Sequence, residues 1–171
     1  MQQAGKALYT EQERQRRDST VWTLVQGVLA PVQFVVFLVS LGLILRYLST
    51  GHGLEAAQIS VIIKTLTLYA IMITGAIWEK VVFGRYLFAP AFFWEDVFSM
   101  LVLALHTAYL AAYWGGLLAP GALMVLALAA YVTYIINAGQ FLWKLRQARL
   151  GAPPRKAANA IASSHAVGAS Q

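Results

Sequence analysis

The chain has 171 residues, of which 59% are hydrophobic and 12% charged; soluble domains carry about 25% charge, so the composition points to lipid as the solvent. The absence of cysteine excludes disulfides, thiolate metal sites and thiol nucleophiles. The net charge of +6 does not indicate nucleic acid, because Lys and Arg gather at the ends and in one central loop rather than on one folded face.

Residues 1–18 are polar and read as a short amphipathic or frayed cytoplasmic segment. They are not expected to be a signal peptide, because the apolar run that follows is too long for one. From Ser19 to Leu45 no residue is charged, enough to cross a hydrocarbon core that needs about 20 residues. Pro31 predicts a kink in this first span, and Arg46 and Tyr47 mark its far interface. A turn-rich loop at 49–55 leads to a second span over Ala56–Trp78, interrupted only by Lys64, which is expected to snorkel to the outer interface. Residues 79–96 hold Phe83, Tyr86, Phe88, Phe92, Phe93 and Trp94, an aromatic segment suited to the headgroup region.

Val97–Trp143 again lacks Asp, Glu, Lys and Arg. Its length suits two antiparallel spans, with Gly115, Gly116, Pro120 and Gly121 supplying the turn. After Arg149 the chain becomes an Ala-, Ser- and Pro-rich tail, expected to be disordered. The predicted fold is an all-α, four-transmembrane-helix bundle with an aromatic interfacial segment between its second and third spans. Its parts are a polar segment at 1–18, the membrane domain at 19–148 and a tail at 149–171. Four spans put eleven of the thirteen basic residues on one side, leaving Arg46 and Lys64 on the other. By the excess of Lys and Arg on the inner side, both termini are expected in the cytoplasm and the chain in the inner membrane.

Polar groups within spans are costly, so their positions are the clue to function. Ser19, Gln26, Gln33, Ser40 and Tyr47 recur every seven residues along one face. Each serves either as interhelical glue, worth about 0.6–2 kcal/mol per contact, or as one wall of a shared cavity. Thr67, Thr74 and Trp78 share a face of the second span, where Gly75 leaves room for a ligand or a neighbour one turn from Glu79. Tyr134, Asn137, Gln140 and Lys144 line the fourth span and read as structural.

The third span is the most informative. Glu95 and Asp96 open it, where carboxylates suit the positive end of the helix dipole. Glu95, Ser99 and His106 share a face, with roughly 16 Å of rise from Glu95 to His106. His106 is the sole histidine inside a span. It is either a hydrogen-bond donor to a neighbouring helix, or an axial ligand to a metallotetrapyrrole or a proton carrier.

Three stretches carry a resemblance. Trp22-Thr-Leu-Val-Gln-Gly-Val-Leu-Ala-Pro31-Val-Gln-Phe is the first, and Gly75-Ala-Ile-Trp-Glu-Lys-Val-Val-Phe-Gly84 the second. The third is Phe88-Ala-Pro-Ala-Phe-Phe-Trp-Glu-Asp-Val-Phe-Ser-Met100, followed by His106. Together they resemble the 3-vinyl (bacterio)chlorophyllide hydratase family over about residues 8–148.

The resemblance implies hydration of the C3-vinyl group of chlorophyllide a, or of its bacteriochlorin relative, to 1-hydroxyethyl in bacteriochlorophyll biosynthesis. It implies a magnesium tetrapyrrole as substrate, membrane lipid as surroundings, other pigment-biosynthesis enzymes as partners, and no separate cofactor. Adding water to a vinyl group at neutral pH requires a protonated acid and a group that positions water, and burial in an apolar site favours the neutral carboxyl. Set against that chemistry, Glu79 and Glu95 are the candidate proton donors and Asp96 the water-positioning partner. Trp78, Phe93 and Trp94 are expected to wall the site, and Gln33 to line it. His106 is a candidate axial ligand for the substrate's magnesium, and Arg85 or Lys80 for its propionate. Residues alone leave two rivals, a non-catalytic pigment-binding or pigment-transfer protein and a small transporter.

Overall fold

The computed structural model describes residues 8–150, and all regular structure among them is helical. The expected tail beyond 150 and residues 1–7 lie outside that range. Helix α1 (Glu11–Ser19) opens with a capping box, in which the Thr10 hydroxyl takes the Glu13 amide and the Glu13 carboxylate takes the Thr10 amide. Helices α2 (Val21–Thr50), α3 (Leu54–Phe83), α4 (Phe93–Trp114) and α5 (Pro120–Leu150) follow. All four are long and apolar enough to cross a membrane, so the chain is a multi-pass membrane protein. Thirty residues of α3 rise about 45 Å against a hydrocarbon core of about 30 Å. The helix ends therefore reach the interfacial zones.

Two boundaries differ from the sequence expectation. The second span extends five residues past Trp78, to Phe83, where Gly84 (φ 81°) ends it in a conformation natural only to glycine. The irregular stretch is thereby reduced to 84–92. Pro120 and Gly121 belong to α5 rather than to the turn; proline suits the first helical turn, where its missing N–H costs nothing. Helix α2 continues through Pro31.

The closest packing runs within two antiparallel hairpins, α2/α3 and α4/α5, and a looser seam joins them. The core between them is built from Phe37, Ile44, Val61, Val102, Met124 and Tyr131, among others. Aliphatic side chains such as Leu24, Val28, Ile73 and Val125 face outward, as lipid contact allows.

Polar side chains pin the helices together. Gln26 Nε2 donates to Thr74 Oγ1 at 2.7 Å, and Trp78 Nε1 to Thr23 Oγ1 at 2.9 Å. Ser40 meets Ser60 at 2.7 Å and accepts from the Tyr131 hydroxyl at 2.6 Å. The seven-residue stripe on α2 is thus interhelical bonding at Gln26 and Ser40. Gly75 faces the Gln26 bond, and a Cβ placed there would make an ordinary contact, 3.6 Å from Gln26 Oε1.

Lys64 corrects the expectation that it snorkels. Its exposure is 0%, and its Nζ sits 3.5 Å from the centroid of the Tyr134 ring. Four to five residues from the midpoint of α3, it faces the seam rather than an interface.

Candidate active site

The ends of α2–α5 that carry most of the basic residues also hold three buried acidic ones. Glu79 lies one turn before the end of α3, and Glu95 and Asp96 lie in the first turn of α4. All three are buried. Between these helices, residues 84–92 fold back as a strap over the carboxyl groups. The Phe88 amide donates to Asp96 Oδ2 at 2.7 Å, and the next amide, Ala89, donates to Glu79 Oε2 at 3.3 Å. Consecutive backbone donors thus hold two buried carboxyl groups side by side under one strap.

Phe88 adopts φ 59°, a left-handed conformation that costs a non-glycine residue about 1–3 kcal/mol. The strap is therefore held in place by the bonds it makes, and the bond to Asp96 is the shorter of the two.

Glu95 turns the other way. Its Oε2 lies 2.6 Å from Lys144 Nζ on α5, with the two side chains 10% and 25% exposed. The same ammonium faces the Phe92 ring at 5.2 Å. Deeper along α4, Ser99 accepts from Asn137 Nδ2 at 2.8 Å. The polar stripe of α5 is thereby matched to the Glu95–Ser99 face of α4.

Beside Lys144 opens a pocket of about 410 Å³, lined by Leu8, Thr10, Glu13, Phe83, Pro90, Ala91 and Lys144. That volume falls in the range of ligand sites, roughly 300–1,000 Å³. One wall is the N-terminal segment, anchored by Tyr9, whose ring stacks on Phe83 at 5.7 Å under the Arg17 guanidinium at 4.7 Å. Burial raises the Tyr9 hydroxyl above its ordinary pKa, against the lowering influence of Arg17. Trp78, Phe83, Phe92 and Phe141 complete an apolar cluster around Tyr9.

The structure therefore brings Glu79, Asp96, Glu95 and Trp78 to one end of the bundle. It does not bring Phe93 and Trp94 to them: at 44% and 67% exposure these rings face outward, and Phe92 takes the inward place. Lys80 Nζ is bound to the Gly84 carbonyl at 3.0 Å, closing the end of its own helix, and Arg85 is exposed on the same rim. Gln33 lies in the bundle interior with Nε2 unpartnered. The strap amides, the Lys144 partnership and the Tyr9 wall were missed in the sequence. The seven-residue spacing of Asn137 and Lys144 was the signal for the second of these.

Near the middle of the bundle, His106 is 1% exposed. Its ring stacks on Tyr131 at 5.8 Å, and Nδ1 donates to the Val102 carbonyl at 2.8 Å. That bond points the ring toward the acidic end of α4 and leaves Nε2 as a buried lone pair with no partner. A histidine that ligates a metal is held in this way, with its other nitrogen on a carbonyl. No group of three His, Cys, Asp or Glu able to hold a metal ion of the protein's own occurs among the described residues.

Fold and site together define a four-span membrane protein with a sealed carboxyl pair at one end and an unpartnered histidine at its centre. The family described as 2-vinyl bacteriochlorophyllide hydratase matches residues 9–147. A protein of that name from Rhodobacter capsulatus is 68% identical over 157 residues, 91% of each chain. Another from Cereibacter sphaeroides is 69% identical over 145 residues, 85% of this chain and 90% of its own. No solved structure matches. The chain belongs to the 2-vinyl bacteriochlorophyllide hydratase family.

Proposed function

We propose that this protein is a hydro-lyase that adds water across the vinyl group of chlorophyllide a or a bacteriochlorophyllide, giving the 1-hydroxyethyl group in bacteriochlorophyll biosynthesis. The vinyl position is numbered 2 or 3 according to the scheme used for the macrocycle. The name shared by the two relatives supports the reaction, and the buried Glu79–Asp96 pair is the observation that carries its mechanism.

In this reading the two buried carboxyl groups share one proton, since two like charges held side by side out of water are costly. Glu79 donates that proton to the terminal vinyl carbon. The π bond breaks, a C–H bond forms, and the positive charge rests on the inner carbon next to the conjugated ring. Water held by Asp96 attacks that carbon and returns a proton to the pair. The sum is alkene plus water to alcohol, with no redox change and no cofactor. Glu95, already bonded to the Lys144 ammonium, is less suited to donate; it and Lys144 form the polar rim. Trp78 and Phe92 supply the water-poor wall.

His106 Nε2 is the proposed axial ligand of the substrate's magnesium. Asp96 and His106 stand ten residues apart on α4, about 15 Å of rise, and the ring of His106 leans toward Asp96. The substrate's propionate is assigned to the exposed Arg85 or to Lys144 beside the pocket. The excess of Lys and Arg flanking that end of the spans in the sequence supports a cytoplasmic location for it and for both termini, with the protein in the inner membrane. Other pigment-pathway enzymes are implied as partners, because substrate and product are both poorly soluble macrocycles.

Membranes from a heterologous host carrying this protein, incubated with chlorophyllide a, are expected to yield pigment heavier by one water. A shifted pigment spectrum at unchanged mass would instead mark a binding or transfer protein.

A further inference from the structure

The seam between the two hairpins holds buried polar atoms for which the protein itself provides no partner. Lys64 Nζ on α3 and His106 Nε2 on α4 are both fully enclosed and without hydrogen bonds. Both side chains face the same stretch of α5, where Tyr131 and Tyr134 stand three residues apart. Around them stand aromatic faces: Tyr134 against Lys64 at 3.5 Å, and Tyr131 against His106 at 5.8 Å. Among the described residues no carboxylate pairs with Lys64. An unpaired lysine inside a membrane bundle is expensive, and such residues mark functional sites.

The chemistry of the two atoms is complementary. The histidine lone pair needs a Lewis acid or a donor, and the lysine needs an acceptor. A flat magnesium macrocycle that carries a ring carbonyl offers both on one rigid body, and the tyrosine rings suit its faces. We infer that Lys64 is a substrate-recognition residue, donating from Nζ to a ring keto oxygen of the macrocycle whose magnesium is held by His106. This deepens the proposed function and rests on it. The hairpins touch less across the seam than within themselves, and on this inference a pigment arriving from the lipid parts them there. The ligand class is thereby narrowed to magnesium chlorins and bacteriochlorins with a conjugated ring ketone.

The test is resonance Raman spectroscopy of chlorophyllide a bound to the purified wild-type protein and to Lys64→Met and Lys64→Gln. Methionine matches the length of the lysine and removes a buried charge, so Lys64→Met is expected to fold; the amide variant is the second check. In wild type the keto stretch should lie below that of the Lys64→Met complex, while the magnesium coordination marker is the same in both. Affinity should fall about ten- to hundredfold in Lys64→Met. A substrate whose ring ketone has been reduced to the alcohol should lose the same factor with wild type and little with the variant. Identical keto frequencies and equal affinities would overturn the inference and leave Lys64 bonded to an internal water. Failure of the broader reading shows separately, as wild-type pigment whose magnesium gains no histidine ligand or whose mass never rises by one water.

Discussion

Lys144 Nζ and Glu95 Oε2 meet at 2.6 Å and tie the start of α4 to the end of α5, across the hairpin that forms half of the bundle. The carboxylate is the more enclosed partner, so the two deletions are unequal. Lys144→Met strands a largely buried charge and should destabilise the protein by about 1–3 kcal/mol, whereas Glu95→Gln should cost less because the lysine retains solvent. In the double variant most of the Lys144→Met loss should be recovered. Denaturation in detergent, read as a double-mutant cycle, checks this; purely additive losses would show that the pair is not coupled.

In the α2/α3 hairpin Gly75 faces Gln26. A Cβ there would sit 3.6 Å from Gln26 Oε1, an ordinary contact, so Gly75→Ala should be neutral within about 1 kcal/mol. Gly75→Leu should displace Gln26 from Thr74 and cost about 1–3 kcal/mol by overpacking. Thermal melting of the two variants separates these outcomes.

Much of this arrangement was legible in the sequence. Long apolar stretches almost free of charge, one of them divided by a glycine-rich turn, are enough to predict four spans, because lipid excludes charge and irregular backbone alike. The spacing of Glu95, Ser99 and His106, four and then seven residues, predicts one shared face, and all three are buried on α4. What escaped was tertiary. Lys64 has a stem long enough to reach an interface, and only the position of Tyr134 on α5 shows that it does not. Glu79 and Asp96 become neighbours because residues 84–92 fold back with Phe88 at φ 59°, a conformation no propensity assigns to phenylalanine. Phe93 and Phe92 are adjacent and chemically identical, so the sequence alone could not tell which ring faces inward; the register of α4 decides for Phe92.

The enclosed Nε2 of His106 leads to a spectroscopic prediction. His106→Ala should lose the nitrogen ligand to the pigment's magnesium and bind it about tenfold or more weakly, while the bundle remains folded. His106→Gln should keep the volume without restoring the coordination marker. Magnesium coordination unchanged in both variants would make the histidine a structural residue.

The most direct test of the account is single-turnover hydration by Glu79→Gln, which keeps the shape of the side chain and the acceptor for the Ala89 amide but cannot give up a carboxyl proton. The variant should bind chlorophyllide a as wild type does and convert it about 10²–10⁴-fold more slowly. Asp96→Asn and the Glu79→Gln/Asp96→Asn double variant should be no more than modestly slower still, since the two groups act as a unit. Conversion by Glu79→Gln at the wild-type rate would contradict the claim that the sealed carboxyl pair supplies the proton.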